Sequence, residues 1–493
     1  MANRGLEYMT FEPKYEKVSS SYRKALGTTQ AQIECKLSGN ENAEITKVLC
    51  ADAKAYIGSS EAMNGEITFN GFVNFQVIYD GIEPQGMDYS AEFKDKYQNS
   101  DITPNSVPVL SCSVVNVNTS IVGPDVRVTA IVEINVDIIE TDEYNVLTEV
   151  DTNNIFSKTD SLNYSTYVGK AKHRFDQNFD IEIEETVSKI LGACANAQLT
   201  LISPKNEFAE VKGIVNLMIS YLPAAENSVV KTIQKQVEFS QEIPVKEIEE
   251  DSFLNSFINV INGDIKVTTN IEENLAVVNL DIPLVFEGYV FNPNSINYVT
   301  DLFAINNFVN VDTESLMMLK KANSESFEER FDASIIIDDN MQLIDEIIGV
   351  CDKNVTIASQ SIVNDGLNIE GINTITVLYL NKETNNINSV SIGSPFSLSF
   401  NIDGIKGLTP DVKIIMGEVN AKGKRGNEIE ATGDQYIYAN FFGSDAEGII
   451  TSVKVGEERN QYMAPLMLYI AKPGETLWDV AKNLNVSPDL ILQ

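Results

Sequence analysis

One pattern limits what this chain can fold into, because it is written three times. It reads Gly71-Phe72-Val73-Asn74-Phe75-Gln76-Val77-Ile78-Tyr79, then Gly213-Ile214-Val215-Asn216-Leu217-Met218-Ile219-Ser220-Tyr221, then Gly371-Ile372-Asn373-Thr374-Ile375-Thr376-Val377-Leu378-Tyr379. In each copy a Gly opens an apolar run that a Tyr closes, and each copy follows a second shared segment. Those segments are Lys47-Val48-Leu49-Cys50-Ala51, Lys189-Ile190-Leu191-Gly192-Ala193 and Glu346-Ile347-Ile348-Gly349-Val350. Gly71 to Gly213 and Cys50 to Gly192 are both steps of 142 residues, so the first two copies align without a gap. The next steps are 158 and 157 residues, a difference expected to be one loop residue. The chain therefore reads as a tandem array of one module, and its function has to be one that an array can perform.

With 493 residues the chain has room for three or four domains. The expected division is an arm at 1–28, repeat domains at 29–150, 173–300 and 329–458, polar linkers at 151–172, 301–328 and 459–468, and a distinct tail at 469–493. Each repeat opens on an alternating segment, such as Ala31 to Leu37, Asn178 to Ile183 or Asp332 to Ile337, whose period of two fits a strand with one wet face. A short helical turn is expected next, at Asn42-Ala43-Glu44, Glu184-Glu185-Thr186 and Gln342-Leu343-Ile344. Each repeat closes on runs dense in Val, Ile and Thr: Val126 to Ile139, Asp264 to Val290 and Lys413 to Phe442. The fold class is mainly β, with three homologous sandwich- or barrel-like domains and short helices. Two such helices are predicted at Ser252 to Asn262 and Ser315 to Asn323, from apolar residues at helical spacing.

The repeated residues have structural roles in this reading. Gly71, Gly213 and Gly371 are expected at a bulge or tight bend. Tyr79, Tyr221 and Tyr379 are expected to bury a ring and hydrogen-bond a hydroxyl near a strand end. Phe93, Phe239, and Phe396 with Phe400 follow each Gly-to-Tyr strand and are expected in the cores.

The formal charge of −35 makes nucleic acid and anionic lipid surfaces poor partners and favours a basic partner or simple solubility. The N-terminus lacks a signal-peptide succession, and no run approaches the roughly twenty apolar residues that span a bilayer. The chain is therefore expected to stay in the cytoplasm. Cys35, Cys50, Cys112, Cys194 and Cys351 form no CxxC pair and read as small buried hydrophobes, so no metal is expected.

The tail has its own signature. Tyr469-Ile470-Ala471-Lys472 reads as a strand, Pro473-Gly474 as a turn, and Thr476 as the cap of a helix from Leu477 to about Leu484. Ser487 and Pro488 then read as the start of a second helix. This segment resembles the first half of a LysM module, whose members fold as strand, helix, helix, strand and bind N-acetylglucosamine polymers between two loops. The resemblance implies that Pro473, Gly474, Glu475, Thr476 and Trp478 form a partner- or glycan-binding loop, with Trp478 more a core residue than an exposed platform. The second strand of such a module is absent, so the fragment is expected to be truncated and frayed.

The repeats carry a second resemblance. Lys-Ile-Leu-Gly-Ala-Cys-Ala from Lys189 to Ala195, then a Gly-to-Tyr strand and a Phe-containing segment, resembles the spore-coat (SPOCS) domain of endospore-forming bacteria. Three copies ahead of a LysM-like tail are similar to SipL-type coat morphogenetic proteins, the counterparts of SpoVID. The resemblance implies a mother-cell protein at the forespore surface that binds the ATPase of the coat's base layer (SpoIVA-type) and other coat proteins.

Enzymatic readings find little support. The single imidazole, His173, sits in an expected polar linker between Lys172 and Arg174, which leaves no histidine base for a Ser-His-Asp hydrolase. No carboxylate pair stands out for glycoside hydrolysis. Walker-type and dinucleotide fingerprints are absent, so no cofactor is expected. Asp151-x-Asn153 followed by Asp160 has the look of a calcium loop, but Phe156 stands where Gly is needed. A coat-assembly scaffold is therefore the expectation, ahead of a peptidoglycan-binding wall protein and a wall hydrolase. Weak docking surfaces repeated along an array would add up by avidity.

Overall fold

The computed structural model describes residues 12–38, 45–151, 154–225, 228–272, 275–337, 343–425, 427–459 and 468–491. The described residues form nineteen strands and two short helices, so the mainly β class holds. The first module comprises β1 (Glu12–Ser38), β2 (Lys47–Met63), β3 (Glu66–Asp80), β4 (Gln85–Gln98), β5 (Val107–Val122) and β6 (Asp125–Asp151). The second comprises β7 (Ile155–Ile183), β8 (Val187–Lys205), β9 (Phe208–Pro223), β10 (Lys231–Pro244), β11 (Phe253–Val260), β12 (Lys266–Glu272) and β13 (Leu275–Ala304). The third comprises β14 (Asn307–Ile336), β15 (Ile344–Val363), β16 (Gly366–Asn381), β17 (Ile387–Asn401), β18 (Thr409–Lys424) and β19 (Glu428–Glu458).

Each module is a sandwich of two antiparallel sheets. One sheet has the order β2-β3-β4, and its counterparts are β8-β9-β10 and β15-β16-β17. The facing sheet is β1-β6-β5 in the first module and β14-β19-β18 in the third; in the second, β13 lies between β7 on one side and β11 with β12 on the other. Alternation drives the two sheets together. Val126, Val128, Ala130, Val132, Ile134, Val136 and Ile138 are all fully buried along β6, and Ala276 to Phe286 repeat the pattern on β13. The cores are separate clusters, one centred on Phe75 and Val132, one on Leu217 and Leu284, and two in the third module around Ile375 and Phe441.

The first and last strands of every module outrun the sandwich. β1, β6, β7, β13, β14 and β19 are 27 to 31 residues long, whereas strands usually run about five or six. The excess lengths pair as two-stranded ribbons, for example Glu12 to Lys24 against Asp151 to Ile138. Such a ribbon is marginal alone, and here three gather side by side. Val18, Tyr144, Val146, Leu162, Ile296, Tyr298, Leu316 and Ile449 fill the space between them, and Leu147, Ile155, Val299, Leu302, Ile450 and Val453 fill the next layer outward. The module connections lie at the far end of this stalk, since Ala304 pairs with Ile155 and Asn307 with Glu458.

The sandwiches form a head. β4 touches β8, β10 touches β15, and β17 touches β2. Each contact sets the fourth strand of one module against the second strand of the next, so one head-to-tail contact used three times closes a ring.

Several sequence expectations change here. Residues 155–172 and 307–328 are not linkers but ribbon strands of β7 and β14, and 301–304 end β13. They pair along most of their length with β13 and β19, so they are strand despite their polar composition. His173 accordingly sits half-buried on β7, stacked on Phe175 at 6.3 Å between ring centroids. Residues 12–28 are part of β1 rather than an arm; residues 1–11 lie outside the described residues. The predicted helix at 252–262 is β11, leading into a 3-10 turn at Asn262–Asp264, and the one at 315–323 lies within β14. Glu184 to Thr186 make a bend, and Ile344 already opens β15; residues 42–44 and Gln342 lie outside the described residues, as does Asn153 of the calcium-like loop.

Candidate functional site

The repeated strands β3, β9 and β16 lie in three separate sandwiches, and their Gly and Tyr residues do not meet. Gly71 pairs with Phe93, Gly213 with Phe239 and Gly371 with Phe396 across the sheet. A Cβ on Gly71 would stand 2.5 Å from the Phe93 ring, on Gly213 2.3 Å from the Gln198 carbonyl oxygen, and on Gly371 2.5 Å from that of Thr356. A side chain would clash at each Gly, and the bulge stands across the ladder from it rather than on its own strand. The Gly leaves room for a phenylalanine ring laid across the strand, and the bulge lies in the opposite strand, at Gly58, Thr200 and Ala358. The three Tyr rings are buried at the far ends of these strands, and the Tyr221 hydroxyl donates to Glu185 Oε1 at 2.8 Å.

The upstream shared segments do meet. Each contains a bulge, leaving Leu49, Leu191 and Ile348 unpaired between ladder residues. All three point into one cluster with Cys50, Ile78, Val230, Cys351, Leu378 and Ile387 at the middle of the ring. Close approach is required at these seams. A Cβ on Gly86 would lie 1.6 Å from the Leu191 carbonyl oxygen, and one on Gly349 2.2 Å from Thr232 Oγ1. The one-residue difference between the second and third repeats is not in a loop. Strand β15 carries an additional bulge between Val350 and Asp352, so Cys351 is the extra residue and Asp352 falls in register with Asp52 and Cys194.

That register brings charge to the centre. Asp52, Lys54, Cys194, Asn196, Asn216, Asp352 and Lys353 line a void of only about 10 Å3 where the three modules converge. Lys54 Nζ lies 3.0 Å from Asp52 Oδ1, and Asp52 in turn hydrogen-bonds Asp352. Burial and then the Asp52 carboxylate push Asp352 up to about 7, with Lys54 acting against them. Lys353 donates to Gln234 Oε1 at 2.8 Å and to the Gly417 carbonyl, and burial brings its ammonium down to about 8. Asn216 Nδ2 donates to the Met416 carbonyl at 3.0 Å. Burial raises the Cys194 thiol to about 12, so it stays protonated. Cys50 Sγ donates to the Cys351 carbonyl at 3.1 Å, and the other thiols of the centre are likewise buried. The chemistry available here is cohesion between modules: no group of three or more metal-ligating side chains occurs among the described residues, and the void has space for no more than about one water. Sequence reasoning missed this cluster because Asp52 and Asp352 align only after Cys351 is set aside.

A second polar node ties head to stalk. Arg23 on β1 is 8% exposed; its Nε donates to Asp137 Oδ2 at 2.8 Å and its Nη2 to Asp411 of the third module at 3.2 Å. Its guanidinium lies 3.6 Å from the Phe442 ring centroid. Burial outweighs Arg23 at Asp137 and leaves that carboxyl above the usual carboxylate range.

The C-terminal loop is far from both nodes. Helix α1 (Leu477–Leu484) starts at Thr476, whose hydroxyl accepts from the Asp479 N–H while Asp479 Oδ2 accepts from the Thr476 N–H, a full capping box. A four-residue helix α2 (Pro488–Ile491) follows. Residues 468–472 are not a strand, because no described strand pairs with them. Pro473, Gly474 and Thr476 are exposed, and Glu475 accepts from the Tyr469 hydroxyl at 2.8 Å and from the Lys472 N–H at 2.7 Å. Trp478 does not close a core of its own fragment but rests on β13, donating from Nε1 to Asp301 Oδ2 at 2.8 Å. Helix α1 is thus seated against the stalk rather than frayed.

No helix among the described residues is long and apolar enough to cross a membrane. No curated protein and no solved structure matches the chain. The family model described as SipL, SPOCS domain matches residues 44–122 and 344–423, which correspond to β2 through β5 and to β15 through β18. In these two stretches, each of which supplies one aspartate of the central pair, the chain is similar to the SipL SPOCS family, a match that relates it to spore-coat proteins.

Proposed function

We propose that the protein is a non-enzymatic scaffold of spore-coat morphogenesis, acting in the mother cell at the forespore surface. It docks on the coat's base-layer ATPase (SpoIVA-type) and presents several modules at once to coat material. The observation that carries this reading is the family match in two modules that a ring holds in fixed relation. The site chemistry supports it too: the buried charges join modules to one another, and the voids beside Asp352 and beside Lys413, about 10 and 20 Å3, are too small for a substrate. An excess of acidic over basic residues, 71 against 36, suits a basic partner surface.

The test pairs a binding assay with imaging. Purified chain and purified base-layer ATPase should co-sediment, and a fluorescent fusion should form a shell around the forespore. A fusion that stays diffuse through sporulation, together with no co-sedimentation, refutes the proposal.

A further inference from the structure

We infer that the far end of the second ribbon is a binding site for a helix that presents an indole N–H and, four residues later, a cation, and that helix α1 occupies it as an intramolecular latch. The two carboxylate oxygens of Asp301 each take one donor. Oδ2 accepts from Trp478 Nε1 at 2.8 Å and Oδ1 from Lys482 Nζ at 2.6 Å. Spacing of i and i+4 puts both donors on one face of the helix. The Trp478 ring meets Phe303 edge-on at 5.1 Å and 71°, and Phe303 is itself stacked on Phe156 at 5.5 Å, so an apolar floor lies beside the acid. A second anchor holds the helix end: Arg459, lying over the Phe308 ring at 4.6 Å, hydrogen-bonds Asn485, the left-handed residue that ends α1. Burial alone would raise Asp301, but Lys482 and the indole N–H hold its carboxyl below the usual range.

Seated this way, Trp478 and Lys482 are spent on the stalk while Pro473, Gly474 and Thr476 stay exposed. A ligand that needs Trp478 must first lift the helix from Phe303, and a partner helix of like chemistry can take its place on the ribbon. This latch does not rest on the spore-coat reading, and its test needs no coat partner.

Trp478 is the single tryptophan of the chain, so emission from the full-length protein reports the latch directly. Asp301→Ala and Lys482→Gln should each shift the emission to the red and raise the acrylamide quenching constant by about two-fold or more, with the far-ultraviolet β spectrum unchanged. Should Asp301→Ala lose its β spectrum, Lys482→Gln decides, because an exposed helix residue leaves the sandwiches intact. Emission and quenching that match the unaltered protein in Lys482→Gln overturn the latch.

Discussion

At the residue scale the repeated Gly is a space for a neighbour's ring, and that makes its substitution predictable. In Gly213→Ala the new methyl meets the Gln198 carbonyl and the Phe239 ring, both within 2.6 Å. Overpacking of this kind costs about 1–3 kcal/mol. Gly169→Ala, with nothing within 4 Å of its Cβ, should stay within about 0.5 kcal/mol of the parent in urea unfolding. Equal losses from both substitutions would show that strand propensity, not the ring, selects glycine. The central aspartate pair gives a second prediction. Asp352 holds its proton up to about 7 in the folded chain but releases it near 3.9 when unfolded. Between those values the folded state binds more protons than the unfolded one, so stability falls as pH rises, with a limiting slope of about 1.4 kcal/mol per pH unit. Asp352→Asn keeps a hydrogen-bonding partner for Asp52 and cannot ionise, so its urea midpoint should lose that slope between pH 4.5 and 7. A slope equal to that of the parent would place the proton elsewhere.

At the scale of elements, what was legible in the sequence was whatever one buried face dictates. The Gly-to-Tyr strands β3 and β16 alternate over most of their length, and so do the ends of β1 and β7, because one side meets a core and the other is less covered, whereas Gly213 to Tyr221 of β9 is buried on both faces. β11 could not be read that way. Leu254, Asn255 and Ser256 are buried in succession, since the strand has a core on one face and the middle of the head on the other, and the loss of period two left a helix-like spacing. Leu316 to Leu319 misled for the same reason, lying between ribbons. The ribbons were the opposite case, too polar for a core strand, because their stability comes from three ribbons together. Side chains stitch their edges: the Tyr144 hydroxyl accepts from the Met317 N–H at 3.2 Å, and the Ser21 hydroxyl accepts from the Tyr167 N–H at 2.8 Å. These bonds also blunt exposed strand edges. The central cluster stayed hidden because one inserted residue shifts the third module's numbering. That insertion is testable. Deleting Cys351 removes a bulge that β2 and β8 lack at this point and keeps Asp352 in register, so the variant should fold and lose about 1–3 kcal/mol with its buried contacts. Deleting Val355, where the ladder is unbroken, turns neighbouring side chains to the wrong face and should abolish folding. Comparable circular dichroism melts for the two deletions would contradict the bulge assignment.

At the scale of the molecule, three sandwiches with their own cores could each unfold alone, and their unity rests on the apolar cluster at the middle of the ring, on the polar seams and on the stalk. Arg23 bridges one of these seams. It leaves the first module's strand, neutralises Asp137 beside it and Asp411 in the third module, and covers the Phe442 ring of β19. Removing one partner of a buried ion pair strands the remaining charge, at a cost of about 3–5 kcal/mol. Here two carboxylates would be stranded on opposite sides of the seam that closes the ring, so the penalty falls on closure more than on either core. Calorimetry of the parent should therefore give one cooperative transition, and Arg23→Ala should split it, with an early step in which the first and third modules separate. Replacing the acids as well, in Arg23→Met with Asp137→Asn and Asp411→Asn, removes the stranded charge and should restore much of the lost stability and the single transition. An early step that persists in the triple variant would mean that the guanidinium's contact with Phe442, rather than charge balance, closes the ring.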